Sequence, residues 1–207
     1  MKNIMLSGPD GTGKSTIANA VIRRLNESNN NVSHVWLRFN HYSAKFINMV
    51  GRVIGKSYYE TYSWGKLGYH DYSGFIGVFY IIAVYIDHLI FNTFFRKRHL
   101  KPNKNYLIDR FIIDIIADLI VDTNKTNMIL LLFGPFLKKE LKVAHAFILI
   151  CDKEIVYSRR VDIIDDKRYD AKINAYKLIA IRFNITTVNS GVLSIDEFVS
   201  KIIDFTN

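Results

Sequence analysis

The sequence predicts an α/β protein with a five-stranded parallel β-sheet and helices on both of its faces. Three observations predict this class. Short apolar, β-rich runs alternate with stretches of helical periodicity along the chain. The first run leads into a glycine-rich loop that opens a helix. Charged residues then follow the ends of later runs, and the carboxyl ends of parallel strands are where ligands bind in such sheets.

The order of elements follows from these runs. The predicted strands are 2–7, 32–39, 105–109, 145–151 and 184–189. The predicted helices are 14–28, about 40–54, 75–100, 111–121, 128–143, about 153–160, 168–182 and 194–205. The last helix opens with Ser194 and Glu197 at the spacing of a capping box. Residues 56–74, rich in tyrosine and glycine, are predicted to form a loop or insertion within a single domain, 1–207.

The glycine-rich loop, "SGPDGTGKST" at 7–16, has the spacing of a phosphate-binding loop, Gly8-x-x-x-x-Gly13-Lys14-Ser15. Glycines let backbone N–H groups point at phosphate oxygens, and the helix N-terminus adds partial positive charge. Lys14 is predicted to reach the β and γ phosphates and to face solvent without them, and Ser15 to supply a hydroxyl to Mg²⁺. The predicted ATP-binding residues are Gly8, Pro9, Asp10, Gly11, Thr12, Gly13, Lys14, Ser15 and Thr16. The alternative is a strand-to-helix turn that binds nothing.

Charged residues at two later strand ends extend this prediction. Asp109 follows "NYLI", where an acid can hold Mg²⁺ through water or accept a proton. Arg110 beside it can form a fork onto a phosphate. The alternative for this pair is a structural ion pair at the strand end. Arg38 after the second strand is a candidate for substrate binding, or else a surface cation.

The basic segment at about 157–170 is predicted to act as a lid. It contains Arg159, Arg160 and Arg168, whereas the phosphate loop contains no arginine. Because phosphoryl transfer needs positive charge on the transferred group, a catalytic arginine is expected from this segment. Residues 161–167, rich in aspartate and β-branched side chains, are expected to form a loop that is mobile without ligand. The alternative is a solvated, salt-bridged helical hairpin, since the charges across 152–172 cancel.

Composition limits the remaining classes of function. The net charge is 28 − 19 = +9, which fits an anionic substrate such as a nucleotide. The densest basic run, 96–104, is interpreted as a solvated helix end, so nucleic-acid binding is not expected to be the main function. A single cysteine, Cys151, and a strand that starts almost at the first residue favour a cytoplasmic protein without a signal peptide. The apolar segment 75–95 is interrupted by Asp87 and His88, which favours a core helix over a membrane span.

These motifs resemble those of the thymidylate kinase family. "GPDGTGKST" matches that family's phosphate loop, and "IDRF" at 108–111 matches its Asp-Arg-Tyr/Phe. The resemblance implies a nucleoside monophosphate kinase fold with strand order 2-3-1-4-5, the cofactors ATP and Mg²⁺, and often a dimer. It also implies the bacterial-type arrangement, with the arginine in the lid and not in the phosphate loop.

The resemblance also implies roles for individual residues. Asp10 would reach the sugar 3′-hydroxyl of a bound monophosphate, Arg110 would hold the acceptor phosphate, and Asp109 would support the metal. Arg38 would match an arginine after the second strand, and Asp87 would match the aspartate of an Asp-Arg pair on the long helix. The sequence departs from the family where His88 replaces the arginine of that pair and where Phe39-Asn40-His41 replaces Glu-Pro-Gly. These departures affect base recognition more than phosphate chemistry.

The expected function is therefore ATP-dependent phosphorylation of a nucleoside monophosphate, with dTMP as the acceptor that the resemblance implies and nucleotide biosynthesis as the setting. One alternative is a kinase of another nucleotide, a nucleoside or a small hydroxyl compound. Another, of a different class, is a nucleotide-binding protein without transfer activity. Four aromatic residues at helical spacing are candidates for base stacking, although the same spacing is typical of a core: Phe75, Phe79, Tyr80 and Tyr85.

Overall fold

The computed structural model describes residues 2–37, 42–95, 100–101 and 104–206. It contains seven strands in this part of the chain: β1 Asn3–Ser7, β2 Val32–Trp36, β3 Ser57–Tyr62, β4 Gly65–His70, β5 Asn105–Asp109, β6 Ala144–Ile150 and β7 Thr186–Asn189. The α-helices there are α1 Lys14–Glu27, α2 Ser43–Val53, α3 Phe75–Ile90, α4 Ile112–Thr123, α5 Thr126–Val143, α6 Lys153–Arg159, α7 Val161–Ile164, α8 Tyr169–Phe183 and α9 Ile195–Thr206. A π-helical turn, Phe91–Phe95, continues α3.

Five parallel strands form the main sheet in the order β2-β5-β1-β6-β7. When the strands of this sheet alone are numbered along the chain, the order is the predicted 2-3-1-4-5. β1 lies at the centre, paired with β5 on one side and β6 on the other. The connection after β1 runs toward β2, and the connection after β5 runs in the opposite direction, toward β6. The loop after β1 and the end of β5 therefore meet at the carboxyl edge of the sheet, where ligands bind in such folds.

Both faces of the sheet are covered, which confirms the predicted three-layer architecture. Ile4 and Leu6 of β1 belong to one apolar cluster with α1 and α9, whereas Met5 belongs to a second cluster with α3, α4, α5 and α8. All three side chains are fully buried. Period-two alternation sends neighbouring side chains of a strand to opposite faces, so a strand covered on both sides is apolar throughout.

The tyrosine-rich insertion is a β-hairpin and not a loop. β3 and β4 pair in antiparallel register, with Tyr62 opposite Gly65 and Ser57 opposite His70. Its side chains alternate with strand periodicity, but three glycines and the absence of a continuous apolar face hid this pattern in the sequence. The predicted capping box is confirmed: Ser194 N donates to Glu197 Oε2 at 2.9 Å, and Glu197 N to Ser194 Oγ at 3.3 Å.

One helical segment, Phe75–Phe94, is long and apolar enough to cross a membrane by length and composition alone. A single such segment is weak support for a span, because core helices pass the same test. Here Ile81 and Val84 are fully buried in the core, while Phe75 and Phe79 are 86% and 61% exposed. The helix therefore has one face against the protein and one apolar face turned outward.

Candidate functional site

The phosphate loop has a backbone that only glycine can follow at two places. Gly8 has a φ of +147°, and a Cβ at this position would lie 2.3 Å from the Leu149 carbonyl oxygen. Gly11 has a φ of +82°, and its Cβ would lie 2.5 Å from Val156 Cγ1 of α6. The loop is therefore pressed against β6 and the lid segment, and its curvature depends on the glycines that the motif contains.

Lys14 is buried and does not face solvent, which corrects the expectation from the sequence. Its Nζ donates to the carbonyl oxygens of Gly8 at 2.7 Å and Pro9 at 2.6 Å. Burial lowers the pKa of Lys14, while the nearby Asp10 carboxylate, 3.9 Å away, opposes this shift. The carbonyl groups of the loop thus satisfy the buried ammonium group of Lys14.

Arg110 and Asp10 form an ion pair across the site. Arg110 has a positive φ of 60°, a conformation that is uncommon for a residue with a side chain and that occurs preferentially at functional sites. Burial raises the pKa of Asp10, but the charges of Arg110 and Lys14 outweigh it and hold the pKa below its ordinary value. The pair remains ionised at neutral pH and keeps a guanidinium beside the loop.

Asp109 provides the observation that bears on a metal ion. It is buried, and no described residue donates a hydrogen bond to its Oδ1. Its Oδ2 lies 3.8 Å from His34 Nε2. Burial raises the pKa of Asp109, partly offset by Lys14. An orphaned carboxylate oxygen facing a phosphate loop fits Mg²⁺, which takes one or two protein ligands and completes its shell with water and substrate phosphates.

The residues around the loop line a cavity of about 630 Å³, here called the phosphate cavity. The predicted residues Lys14, Ser15 and Asp109 all line it, as do Arg159 and Arg160 of the lid. Among the described residues, its lining is Asp10, Gly11, Gly13, Lys14, Ser15, Thr16, His34, Trp36, Asp109, Arg110, Arg159 and Arg160. His34 and Trp36 are the two members that sequence reasoning missed, because alternating residues of an edge strand carry no motif.

The three lid arginines occupy different places. Arg159 lines the phosphate cavity and a neighbouring cavity of about 280 Å³ between α1 and α9. Arg160 lies at the break between α6 and α7, where its guanidinium makes two hydrogen bonds to the Asp162 carboxylate. Arg168 does not line the phosphate cavity; it bonds to Asp122 of α4 and to the His70 carbonyl of the hairpin.

Part of the segment 161–167, expected as a loop, is helical. Val161–Ile164 forms one turn, α7, because Ile163 is buried against Val156 and Tyr169. A Cβ on Gly11 would lie 2.7 Å from Ile163 Cδ1, so α7 touches the phosphate loop directly. An apolar contact thus joins the predicted lid segment to the loop. A helix of four residues is too short to show a periodic pattern in the sequence, so α7 was not predicted.

A second cavity, about 400 Å³, opens on the other side of Arg110; we call it the acceptor cavity. One wall is α4, and the opposite wall comes from the hairpin residues Leu67, Gly68, Tyr69 and His70. Its other lining residues are Asp10, Leu37, Asn48, Tyr80, Arg110, Phe111, Asp114, Ile115, Asp118, Leu119, Asp122, Asp166, Arg168 and Lys172. A larger groove, about 1210 Å³, lies between α5 and α8, outside both of these cavities.

Three aspartates on α4 are the main residues that sequence reasoning missed. Asp114, Asp118 and Asp122 follow at four-residue spacing, so they share one face of the helix. Asp114 accepts hydrogen bonds from Ser7 Oγ at 2.8 Å and Tyr176 OH at 2.7 Å, which ties the end of β1 to α4 and α8. The signal that could have found them is this regular spacing of acids within an otherwise apolar helix.

Other predicted residues lie elsewhere. Asp87 lines neither cavity: its two carboxylate oxygens accept the backbone N–H groups of Ser43 and Ala44 at 2.8 and 3.1 Å, so it caps α2. Arg38 lies outside the described residues. The four aromatic candidates also separate, since Tyr80 lines the acceptor cavity, Tyr85 packs on Phe133 and Phe136, and Phe75 and Phe79 are exposed.

Comparison with solved structures establishes the fold. A thymidylate kinase from Candida albicans, described as having broad substrate specificity and a novel structural element, superposes with a TM-score of 0.59 at 16% identity, covering 99% of this chain and 90% of that one. A thymidylate kinase from Ehrlichia chaffeensis gives a TM-score of 0.55 at 16% identity, covering 99% and 97%. No protein-family model and no curated protein matches the sequence. The chain has a thymidylate kinase-like fold with a diverged sequence.

Proposed function

We propose that this protein transfers the γ-phosphoryl group of ATP to a nucleoside monophosphate. One observation carries the proposal: in the part of the chain that the structure describes, Asp10 and Arg110 are the two residues that line both the phosphate cavity and the acceptor cavity. A phosphate donor in the first cavity and an acceptor in the second would meet at this pair. The fold shared with thymidylate kinases supports the same reaction class.

The donor side of the reaction follows from the phosphate cavity. Lys14 would exchange its bonds to the Gly8 and Pro9 carbonyl oxygens for bonds to phosphate oxygens, and backbone N–H groups from Gly11 to Ser15 would hold the rest of the triphosphate. Ser15 and Asp109 would hold Mg²⁺, which supplies charge neutralisation on the phosphates. Arg159 borders the cavity between α1 and α9, where the nucleoside part of ATP would fit.

The acceptor side needs orientation more than base catalysis. A phosphate monoester is already anionic at pH 7, so one of its oxygens can form a bond to the γ-phosphorus while the bond to the ADP oxygen breaks. Arg110 would hold the acceptor phosphate once Asp10 turns toward the sugar. Arg159 and Arg160 would stabilise charge on the transferred group. Arg168 would act from the acceptor cavity, where it now lies.

For the acceptor itself, dTMP is the reference compound, because the resemblance implies it. Other nucleotides, nucleosides and small hydroxyl compounds are the alternative acceptors. The alternative of a different class is that the protein binds nucleotides without transferring phosphate.

We further propose that the protein is cytoplasmic, does not enter a membrane, and forms a homodimer through the outward apolar face of α2 and α3.

The test is ADP release from Mg·ATP with a panel of nucleosides and monophosphates, run on the natural protein and on Lys14→Ala. Turnover with at least one monophosphate is expected, and Lys14→Ala should lower it about a thousandfold. Lys201→Ala, on exposed α9, is the control and should keep full activity.

Because Lys14 is buried on the loop carbonyls, Lys14→Ala must be shown to fold by circular dichroism. Ser15→Ala, at an exposed position, is the second variant if it does not. No ADP release with any monophosphate, or undiminished release in folded Lys14→Ala, would rule the proposal out.

A further inference from the structure

The acceptor cavity has a wall of charged groups, and nearly all of them are paired with each other. Arg110 pairs with Asp10, Arg168 with Asp122, and Lys172 with Asp166 at 2.9 Å. Asp114 is held by Ser7, Tyr176 and the backbone N–H of Phe111. Among the described residues, Asp118 is the one charged group lining this cavity without a hydrogen bond or an ion pair.

The position of Asp118 makes this exception informative. It projects from the middle of α4, between Asp114 and Asp122, and its side chain is exposed to the cavity. The cation whose charge acts most strongly on Asp118, Lys172, is already bound by Asp166. Desolvation by the protein walls of the cavity raises the pKa of Asp118 to about 6, so the group is mainly ionised at pH 7.5 and can only accept hydrogen bonds.

Asp118 lies at a distance from the phosphate loop that suits the sugar and base of an acceptor bound in the acceptor cavity. Asp114 contacts the end of β1 beside the phosphate loop, and Asp118 lies one helical turn farther, about 6 Å along α4. A monophosphate held by Arg110 would lay its sugar and base along this wall, toward Tyr80 and the hairpin. Asp118 would therefore face the nucleoside part of the acceptor and not its phosphate.

We propose that Asp118 is a specificity-determining residue that accepts a hydrogen bond from a donor group of the acceptor nucleotide, either an amino group of the base or the 2′-hydroxyl of a ribose. This inference rests on the proposed function and names the substrate class of the same site. It separates the protein from a strict dTMP kinase. Thymine offers one N–H between two carbonyl oxygens, and a carboxylate next to those oxygens is repelled and gains nothing from them.

The test uses matched acceptors that differ by one group. dCMP and dUMP differ by an amino group against a carbonyl on the base, and CMP and dCMP differ by the 2′-hydroxyl. We expect the natural protein to favour at least one donor-bearing member, by about ten- to hundredfold in kcat/KM. dTMP should rank with dUMP.

Asp118→Asn keeps the shape but replaces one acceptor oxygen with an N–H donor and removes the charge, so it should reduce that preference and raise the relative use of dUMP and dTMP. Asp204→Asn, exposed on α9, is the matched control and should leave the ranking unchanged. The two pairs of acceptors identify the source of the donor group. The change should lie mainly in KM, because the contact exists in the bound ground state as well.

The outcomes separate this inference from the proposed function. If no monophosphate is phosphorylated, the proposed function fails. If monophosphates are phosphorylated but Asp118→Asn leaves every ratio unchanged, or scales all acceptors equally, Asp118 is only a solvated surface acid and this inference fails. If Asp118→Asn does not fold, Asp118→Ser tests the same loss of the carboxylate with a smaller side chain.

Discussion

Single residues of the site differ in how far the sequence reveals them. Gly8, Gly13, Lys14 and Ser15 follow one another at fixed spacing, so one local pattern predicts the whole loop. Asp87 shows the opposite: its carboxylate caps a helix more than forty residues away in sequence, and no local pattern carries that contact. The burial of Lys14 was equally hidden, because it depends on hydrogen bonds to the carbonyl oxygens of Gly8 and Pro9 that only the folded loop provides.

The raised pKa of Asp118 predicts a pH-dependent effect on stability. Its folded pKa of about 6 lies above the unfolded value of about 3.8, so the unfolded state ionises first as pH rises. The natural protein therefore loses stability mainly between about pH 4 and pH 6, and this loss is complete above about pH 7. Asp118→Asn cannot ionise and escapes the loss.

We expect Asp118→Asn to gain about 1–3 °C in Tm relative to the natural protein when pH is raised from 5.0 to 7.5. The effect is small because the side chain is exposed to the cavity and solvent screens its charge. Thermal unfolding followed by circular dichroism at both pH values measures it, with Asp204→Asn as the control. A gain of equal size at both pH values would show that Asp118 has an ordinary pKa.

Elements of the fold were largely predictable, with one exception. The strands of the main sheet and the helices that cover it begin and end within a few residues of their predicted bounds wherever the structure describes them. Their bounds were predictable because apolar periodicity is a local signal. The hairpin was not predicted. Its strands are stabilised by pairing with each other and by contacts to the lid about a hundred residues away, and propensity is a poor guide to such strands.

The hairpin binds the lid through several contacts that meet at the turn before α8. Trp64 Nε1 donates to Asp165 Oδ2 at 2.7 Å, and Lys167 Nζ pairs with Glu60 at 2.7 Å. The hydroxyl groups of Tyr62 and Tyr69 both lie 3.3 Å from the Asp165 carbonyl oxygen. Because the hairpin also lines the acceptor cavity, these contacts connect the predicted lid segment to a wall of that cavity.

Breaking these contacts should loosen the lid without unfolding the protein. In the double variant Glu60→Gln and Trp64→Phe, the ion pair with Lys167 and the hydrogen bond to Asp165 are lost. Amide hydrogen exchange across residues 161–168 should therefore accelerate by about tenfold or more. Exchange in β1 should not change. Arg52→Gln, which removes a contact to Tyr59 on the hairpin but none to the lid, is the matched control. Unchanged exchange at 161–168 would mean that the hairpin does not hold the lid.

At the scale of the whole molecule, the sheet order and the two-sided core follow from the alternation of strands and helices and from right-handed crossovers. The surface could not be predicted in the same way. Segment 75–95 has apolar residues on all sides, and periodicity does not tell which of them face the core. The structure leaves one apolar face of α2 and α3 exposed, formed by Phe46, Met49, Val50, Val53, Phe75, Phe79, Ile82, Ile86, Leu89 and Ile90.

An exposed apolar face of this extent is typical of an interface, and α2 and α3, which carry its residues, pack against each other. A second copy of the chain is the occupant we propose, because one patch that meets itself across a two-fold axis closes the assembly. Such a dimer would bury apolar side chains that otherwise face water, and a charge placed at its centre would be left without water or a partner.

The final prediction is that the protein sediments as a dimer of 24.0 kDa chains and that Phe79→Glu converts it to a monomer. Phe79 is 61% exposed in the chain, so the substitution should leave the fold and its Tm nearly unchanged while raising the dimer dissociation constant about a hundredfold or more. Leu131→Glu, at a 76% exposed position on α5, is the control and should remain dimeric. Analytical ultracentrifugation between about 1 and 50 μM measures the oligomeric state, and flotation on neutral lipid vesicles measures membrane binding. A monomer at every concentration would contradict the dimer, and vesicle binding that Phe79→Glu abolishes would assign the same face to a membrane surface.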